Sequence, residues 1–480
     1  MKKSIKYHAI LFCIAACILV FLSFSSAEPS QAASLPSSYD LRDVNGVSYV
    51  TSIKDQGNFV DCWAFSAMAA LESNLLINGY GEYDLSEMEL AYNYCHTPSP
   101  CRPGTEKDRT IMPDIYGTYL DIGLTSGYQI QLLANGYGCA PESAAPYPTT
   151  ARPPKTLSVS WKDDIITLRN AYRISSLNHM KMKQYIMKYG AGELGVVIAQ
   201  GAKRDDDYWN FDHNSYYLDT MGLRIYSVSG YGYGHDITVV GWDDNYSREN
   251  FGGSHKAKPT HDGAWLCRNS WGLGYKGCED GYFWISYEDA GIRMYGECIF
   301  YEAELSGSNW KDIYQYDGTP SQKYVKAKSG SRAANVFRAR SSSKLCAVGL
   351  TTYTKNQKVS IQLFRNPKNG KPESGKKLLN KSLTLTISEP GYRTVTLPSK
   401  YKLTRGDRFS VVVTYKTASG AKFKLPLDRN DAVPYDDTNN AIDYYSSSSP
   451  RQSYVRYKGQ KWKDIGKSGH CNVRIKAYTN

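Results

Sequence analysis

Cys62 stands in "QGNFVDCWAFS", with Asp61 before it and a tryptophan and small residues after it. A thiol in such a stretch can be a packed core group, half of a disulfide or a nucleophile, and nothing inside the stretch decides which. A nucleophilic cysteine needs a base within hydrogen-bond reach, a group that orients the base, and donors for the oxyanion. The chain has 8 histidines. His235, in "GYGHDITVVGWDD", opens a strong strand pattern after a glycine-rich approach, and Asn269, in "CRNSWG", precedes a Trp-Gly turn. Gln56 lies shortly before Cys62 and can offer a side-chain amide to an oxyanion. This set predicts acyl transfer through a thiol.

The elements must bring these groups together. Phe65, Met68, Ala69, Leu71, Leu75 and Leu76 recur at helical spacing. They predict a helix from Cys62 to Leu76 with the thiol at its N-terminus, where unsatisfied amides and the helix dipole favour a thiolate. Leu85 to Asn93 predicts a second helix, with Ser86 as N-cap and Glu89 completing a capping box. Ser126 to Gly138 predicts a third, ended by glycines. From about Val159 the pattern turns to short β-branched and aromatic runs divided by Gly and Asp. The strands that carry His235 and Asn269 are close in sequence, so they can pair and face the Cys62 helix. An α+β fold follows, with a helical lobe against a β lobe. From about Asn309 alternating runs such as "KVSIQLFRN" and "RFSVVVTYK" predict an antiparallel β-sandwich, joined to the first part through residues 301–310.

The 480 residues accommodate two or three domains. Lys2, Lys3 and Lys6 before the apolar run Ala9 to Phe24 and a small-residue segment predict a signal peptide over residues 1–27. An uncleaved anchor is disfavoured because the run is short for a membrane span. Lipidation at Cys17 is disfavoured because the run stays apolar beyond it. Export implies a setting that permits disulfides. Of 11 cysteines, two fall in the leader and the remainder is odd, as a secreted thiol nucleophile would leave it. Cys346 with Cys471 is the pairing expected in the C-terminal part. No CxxC pair occurs, so a zinc ribbon is not expected. Residues 301–480 carry 33 Lys and Arg against 13 Asp and Glu, whereas residues 1–300 carry 25 against 33. That break predicts two domains with different partners.

Taken together and in order, "QGNFVDCWAFS", "LSEMEL", "GHDITVVGW" and "RNSWG" resemble the papain-like cysteine peptidases over residues 35–300. The resemblance implies Cys62 as nucleophile, His235 as general base and acid, Asn269 orienting His235, and Gln56 in the oxyanion hole. It further implies that Trp271 shields the His–Asn hydrogen bond and that Gly127 binds substrate backbone, with neither metal nor cofactor. A thiolate pKa well below the usual thiol value is carried over from papain. Residues 309–480 resemble the lectin-like domain that follows such a peptidase in some secreted proteins of Gram-positive bacteria.

The sequence also departs from the family. Phe59-Val60-Asp61 stands where Cys-Gly-Ser is usual, so the disulfide anchored there is not expected. Asp61 is expected either to raise the Cys62 pKa or to hold a basic substrate residue. Asp236 follows the histidine where a small apolar residue is usual; strand alternation turns it to the opposite face. Few residues separate Ala27 from Leu35, so the protein is expected to lack a long inhibitory propeptide. N-terminal sequencing of the exported form, with activity present at the first measurable moment, would bear this out; a delayed activation step would overturn it.

Other readings carry less. The acidic run Asp205 to Asp207 with Asp212 lacks the spacing of a calcium loop and reads as a solvated insertion. The run from Gly230 to Gly234 precedes a strand and not a helix, so it reads as an approach to His235 and not a phosphate loop. A transglutaminase-like acyl transferase would use Asp where Asn269 stands. A silent adhesion or carbohydrate-binding scaffold is opposed by the intact Cys-His-Asn-Gln set. The expected partners are a protein or peptide substrate and, through the basic C-terminal domain, an anionic wall polymer or glycan on which exposed tyrosines or Trp462 could stack. Nucleic acid is not expected, and the expected location is secreted or cell-surface associated.

Overall fold

The structure is a computed structural model that describes residues 35–112, 117–123, 127–148, 151–198, 208–219, 233–252, 257–307, 310–434 and 441–480. The leader, Ser126, Asp205 to Asp207 and Gly230 to Gly232 lie outside the described residues.

Helix α1 spans Cys62–Ile77 and is buried from Cys62 through Leu75. It is a central helix packed on every side, as an element apolar all round must be. Its polar side chains bond across to other elements. Ser66 Oγ donates to the Ile237 carbonyl at 2.7 Å and Asn74 Nδ2 to the Tyr189 carbonyl at 2.8 Å. The Glu72 carboxylate accepts the Thr51 hydroxyl at 2.5 Å and the Lys54 ammonium at 3.0 Å.

Helix α2 spans Glu87–Cys95, and Ser86 Oγ accepts the Glu89 N–H at 3.1 Å as the cap predicts. The return half of the capping box is replaced: Glu89 Oε2 accepts from the Ala140 N–H at 2.8 Å. Helix α3, Tyr128–Ala134, stops short of the expected Gly138, since Gly136 and Gly138 both take positive φ. Helix α4, His179–Tyr189, was not foreseen; it lays Met182, Ile186 and Tyr189 on one buried face within a region otherwise of strands. A short helix α5, Ala290–Tyr295, follows the last strands of the β lobe.

The β lobe comprises β1 (Ser38–Asp40), β2 (Ile166–Ser175), β3 (Gly192–Ile198), β4 (Tyr233–Asp243), β5 (Ala264–Arg268), β6 (Tyr282–Ser286) and β7 (Glu297–Leu305). Their order in the sheet is β2-β7-β3-β4-β5-β6, and β1 pairs with β4. The strands that carry His235 and lead to Asn269 are therefore neighbours, as expected, with Thr238 opposite Arg268.

The C-terminal part is a sandwich. One layer contains β8 (Arg332–Arg338), β10 (Gln357–Arg365) and β12 (Arg408–Thr417). The facing layer contains β9 (Ser343–Thr352), β11 (Gly391–Leu403) and β13 (Ile475–Thr479). Val359, Ile361, Val411 and Val413 from the first meet Leu345, Val348, Leu350 and Ile475 from the second in one core.

The junction is wider than a connection through residues 301–310. Strand β11 pairs with β2, Gly391 opposite Tyr172 and Arg393 opposite Asn170, so one 13-stranded sheet runs through both parts. Gly391 is required there: a Cβ would fall 2.0 Å from the Ala171 carbonyl oxygen. A second crossing pairs Arg109–Ile111 with Ala441–Tyr445, and Val433, Ile442 and Tyr444 enter the core of the helical lobe.

The disulfide expectation is corrected. None of the nine cysteines in the described residues forms a disulfide. Cys346 lies in β9, its thiol 3.3 Å from the Tyr478 carbonyl, whereas Cys471 lies on a strand paired with Phe423–Arg429 in a separate sheet. The buried thiols serve as small apolar side chains.

Candidate active site

Cys62 is the first residue of α1, buried to 7% exposure, and its sulfur accepts the backbone N–H of Asp236 at 3.4 Å. That contact brings the start of β4 onto the helix terminus, next to His235. His235 Nε2 lies 2.9 Å from Asn269 Oδ1. The same oxygen accepts the Ser270 N–H at 2.8 Å, and Asn269 Nδ2 donates to Cys278 Sγ at 3.4 Å, which fixes the orientation of the amide. An amide oxygen only accepts, so the proton belongs on Nε2 and Nδ1 is left as the basic nitrogen. Trp271 stacks on the imidazole, ring centres 4.7 Å apart and 21° from parallel.

Gln56 is locked beside this group. Its Oε1 accepts the Ser270 hydroxyl at 2.6 Å, its Nε2 donates to the Phe59 carbonyl at 2.7 Å, and its backbone N–H donates to the Ser270 carbonyl at 2.8 Å. An amide NH2 has two hydrogens, so one stays available for an oxyanion. Cys62, His235, Asn269, Gln56 and Trp271 thus form one connected cluster. Gly127 stands apart from it. No hydrogen bond joins it to the cluster among the described residues, and its own N–H is taken by Gln129 Oε1 at 2.9 Å. Tyr147, Ser270 and Cys278 complete the surroundings. Ser270 was legible as part of "RNSWG"; nothing in the local sequence marks Tyr147 or Cys278.

The electrostatics correct the expected thiolate. Burial pushes the Cys62 thiol well up, and the nearby Asp236 and Asp61 carboxyls add to the rise, against the Asp236 and Trp63 N–H groups that favour the anion. Burial likewise pushes His235 down to about 4, against the Asn269 hydrogen bond. Each group alone is held neutral. One proton passed from sulfur to imidazole creates opposite charges that compensate each other.

Asp61 does not face substrate, which corrects the second expectation for it. Its side chain is fully buried and accepts the Tyr147 hydroxyl at 2.7 Å, and it makes no side-chain bond to the α1 amides. Tyr147 is itself wedged against Phe59 and Phe65. Burial pushes Asp61 up to about 8. Its folded pKa lies above its unfolded one, so its contribution to stability falls as pH rises from about 4 towards 8. Asp61→Asn is expected to flatten the stability–pH curve between pH 5 and 7 by about 1.4 kcal/mol per pH unit, read from urea unfolding at several pH values.

Asp236 is buried and pushed up to about 7 by burial. It shares a small internal pocket with Phe65, Ser66 and Thr238. Ionised, it opposes the thiolate. Asp236→Asn is therefore expected to speed alkylation of Cys62 several-fold at pH 8 and to change it little at pH 5.5, where the wild-type carboxyl is already neutral. Iodoacetamide kinetics at the two pH values check this.

Comparison with known proteins identifies the family and the fold. Residues 35–303 match the papain family cysteine protease model, and residues 313–479 match the lectin like domain model. Cathepsin B-like cysteine proteinase 5 of Caenorhabditis elegans is 25% identical over 287 residues, 57% of this chain and 74% of the relative. The structure of a clostridial cysteine protease, Cwp84 after propeptide cleavage, superposes with a TM-score of 0.70 at 26% identity, covering 93% of this chain and 100% of that one. The cysteine protease and lectin-like domains of Cwp84, a surface layer associated protein of Clostridium difficile, superpose with a TM-score of 0.69 at 26% identity over 94% and 90% of the two chains. With more than half of its length matched by the family model and a helical lobe set against a β lobe, the chain belongs to the papain family of cysteine proteases and carries a lectin-like domain behind its peptidase domain.

Proposed function

We propose that the chain is an exported peptidase that hydrolyses peptide bonds through Cys62. His235 Nδ1 takes the thiol proton as the sulfur attacks the scissile carbonyl. The tetrahedral oxyanion is met by Gln56 Nε2 and the Cys62 backbone N–H. The C–N bond then breaks, and the imidazolium passes the proton to the leaving amine. His235 next draws a proton from water, which cleaves the thioester and regenerates the thiol. Asn269 acts through His235 by fixing the Nε2 proton, and Trp271 covers that hydrogen bond. The single observation that carries this reading is the 2.9 Å contact from His235 to Asn269 within one residue of the Asp236–Cys62 contact. A quenched fluorescent peptide library incubated with the purified protein tests it. Turnover that a thiol-directed epoxide abolishes supports the reading; no turnover under reducing conditions refutes it.

The domain limits follow as part of the same proposal: a leader over 1–27, the peptidase over 35–300 and the lectin-like domain over 309–480. The leader and the superposition on a surface-layer-associated protease support a place outside the cell, at or near its surface. The excess of Lys and Arg in residues 301–480, 33 against 13 acidic residues, supports docking on an anionic wall polymer or glycan. Trp462 is a poor stacking platform. Its indole N–H donates to Glu373 at 2.9 Å, and the Arg456 guanidinium lies 5.4 Å over the ring. Sedimentation with isolated cell walls, in low and high salt, separates charge docking from none.

A further inference from the structure

A cavity of about 510 Å³ opens at the junction of the two domains. Tyr128, Arg173 and Glu297 line it from the peptidase side, and Tyr324, Lys355 and Lys424 from the lectin-like side. We propose that this cavity is a composite substrate subsite, in which the lectin-like domain selects protein substrates carrying acidic residues a few positions from the cleaved bond. The proposal rests on the peptidase reading above and extends it to specificity.

Three observations carry it. The first is proximity to the cleavage machinery. Gly296, in the cavity wall, follows Tyr295, whose hydroxyl lies 2.0 Å from where a Cβ on Gly234 would sit. Gly234 immediately precedes His235. The cavity is thus one tyrosine side chain away from the imidazole's own strand.

The second is the rim. Gly127, which precedes Tyr128 of the cavity wall, has φ of 99°, and a Cβ there would fall 3.0 Å from Arg173 Nη1 and 3.2 Å from Gln322 Oε1, both wall residues. The absence of a side chain leaves the rim open to a passing main chain. Gln322 belongs to the lectin-like side and accepts from Arg173 Nη1 at 3.0 Å, so both domains shape the same rim.

The third is charge. Glu297 is matched by Arg173 Nε at 2.5 Å, which uses up the one acidic group of the wall. Lys355 is 54% exposed and only 3.9 Å from Glu389, a carboxylate that Lys181 holds more closely. Lys424 lies 4.8 Å over the Tyr324 ring and makes no ion pair among the described residues. Lys424 thus remains without an ion pair among the described residues, and Lys355 is held only loosely, so both can attract carboxylates over an aromatic floor. The buried Tyr353 hydroxyl, also in the wall, has no hydrogen-bond partner among the described residues.

The test compares kcat/KM for a neutral peptide with that for matched peptides carrying Asp or Glu at each of four positions on either side of the cut. The wild type is expected to prefer an acidic peptide roughly tenfold, with the preference fading as salt is raised. Lys355→Ala with Lys424→Ala is expected to bring the ratio to about one through KM. Lys355→Glu with Lys424→Glu is expected to reverse it in favour of Lys-containing peptides. Equal rates on acidic and neutral peptides in the wild type, or an unchanged preference in the charge-reversed protein, would overturn the subsite. So would loss of polyphosphate or glycan binding by these variants with the peptide preference intact, since the cavity would then serve a wall polymer. Absence of turnover on every peptide would instead strike the peptidase reading itself.

Discussion

Cys62→Ala is expected to lower peptide hydrolysis by on the order of 10⁴-fold or more and to remove labelling by a papain-directed epoxide. Of the cysteines in the described residues only Cys101 and Cys471 are half-buried rather than buried, and among the described residues the thiol of neither is hydrogen-bonded to an imidazole. Epoxide opening needs a nucleophilic sulfur and a donor for the alkoxide, the roles proposed above for Cys62 and His235. Loss of label in Cys62→Ala with retention in the wild type would assign the thiol uniquely. His235→Ala is expected to cost activity about as severely, general acid–base transfer being worth about 10²–10⁴-fold. Asn269→Ala should cost less and should also shift the pH–rate profile, because the Nε2 proton loses its acceptor while both reacting atoms stay in place. Labelling that persists in Cys62→Ala would mean another thiol is the reactive one. No labelling in either protein would mean that burial and the Asp236 and Asp61 carboxyls hold the thiol unreactive.

The contrast between what the sequence foretold and what it did not follows the range of the interactions. The start of α1 at Cys62, the Ser86 cap and the pairing of the strands before His235 and Asn269 depend on neighbours a few residues away or on adjacent strands, so local pattern carries them. The amphipathic spacing of Met182, Ile186 and Tyr189 is equally local, but the β-rich runs on either side mask it. Asp61 shows the opposite case. Its place before the nucleophile says that a carboxylate is near the sulfur, but its state is set by burial, against the hydrogen bond from Tyr147, distant in sequence and close in space. The unbridged thiols of Cys346 and Cys471 belong to the same class, since whether two thiols meet is decided by sheet order, which pairs of short strands do not reveal. The sheet shared by the two domains is the furthest reach of all: Gly391 opposite Tyr172 is a contact between segments that composition and charge had assigned to separate bodies.

That shared sheet leads to the second large effect. A chain ending at residue 307 is expected not to fold stably, although it retains Cys62, His235, Asn269 and Gln56. The helical lobe's core includes Tyr392, Val433, Ile442 and Tyr444, all buried and all supplied from beyond that point. Burial of each such side chain is worth about 1.5–3 kcal/mol, about 6–12 kcal/mol together, which is comparable to the whole net stability of about 5–15 kcal/mol for a typical domain. Asp108, buried in the helical lobe, would lose the Gly318 N–H at 3.0 Å and the Ser447 N–H at 2.6 Å that satisfy it. Strand β2 would expose the edge that Gly391 to Arg393 now covers, and an uncovered edge invites pairing between copies. The truncated chain should therefore aggregate or lack a cooperative thermal transition, while the chain from 35 to 480 shows one. Were the truncated chain to unfold cooperatively within a few degrees of the longer one, the crossing strands would be an adhesive contact between independent domains. Its failure to fold would make the lectin-like domain a structural part of the peptidase.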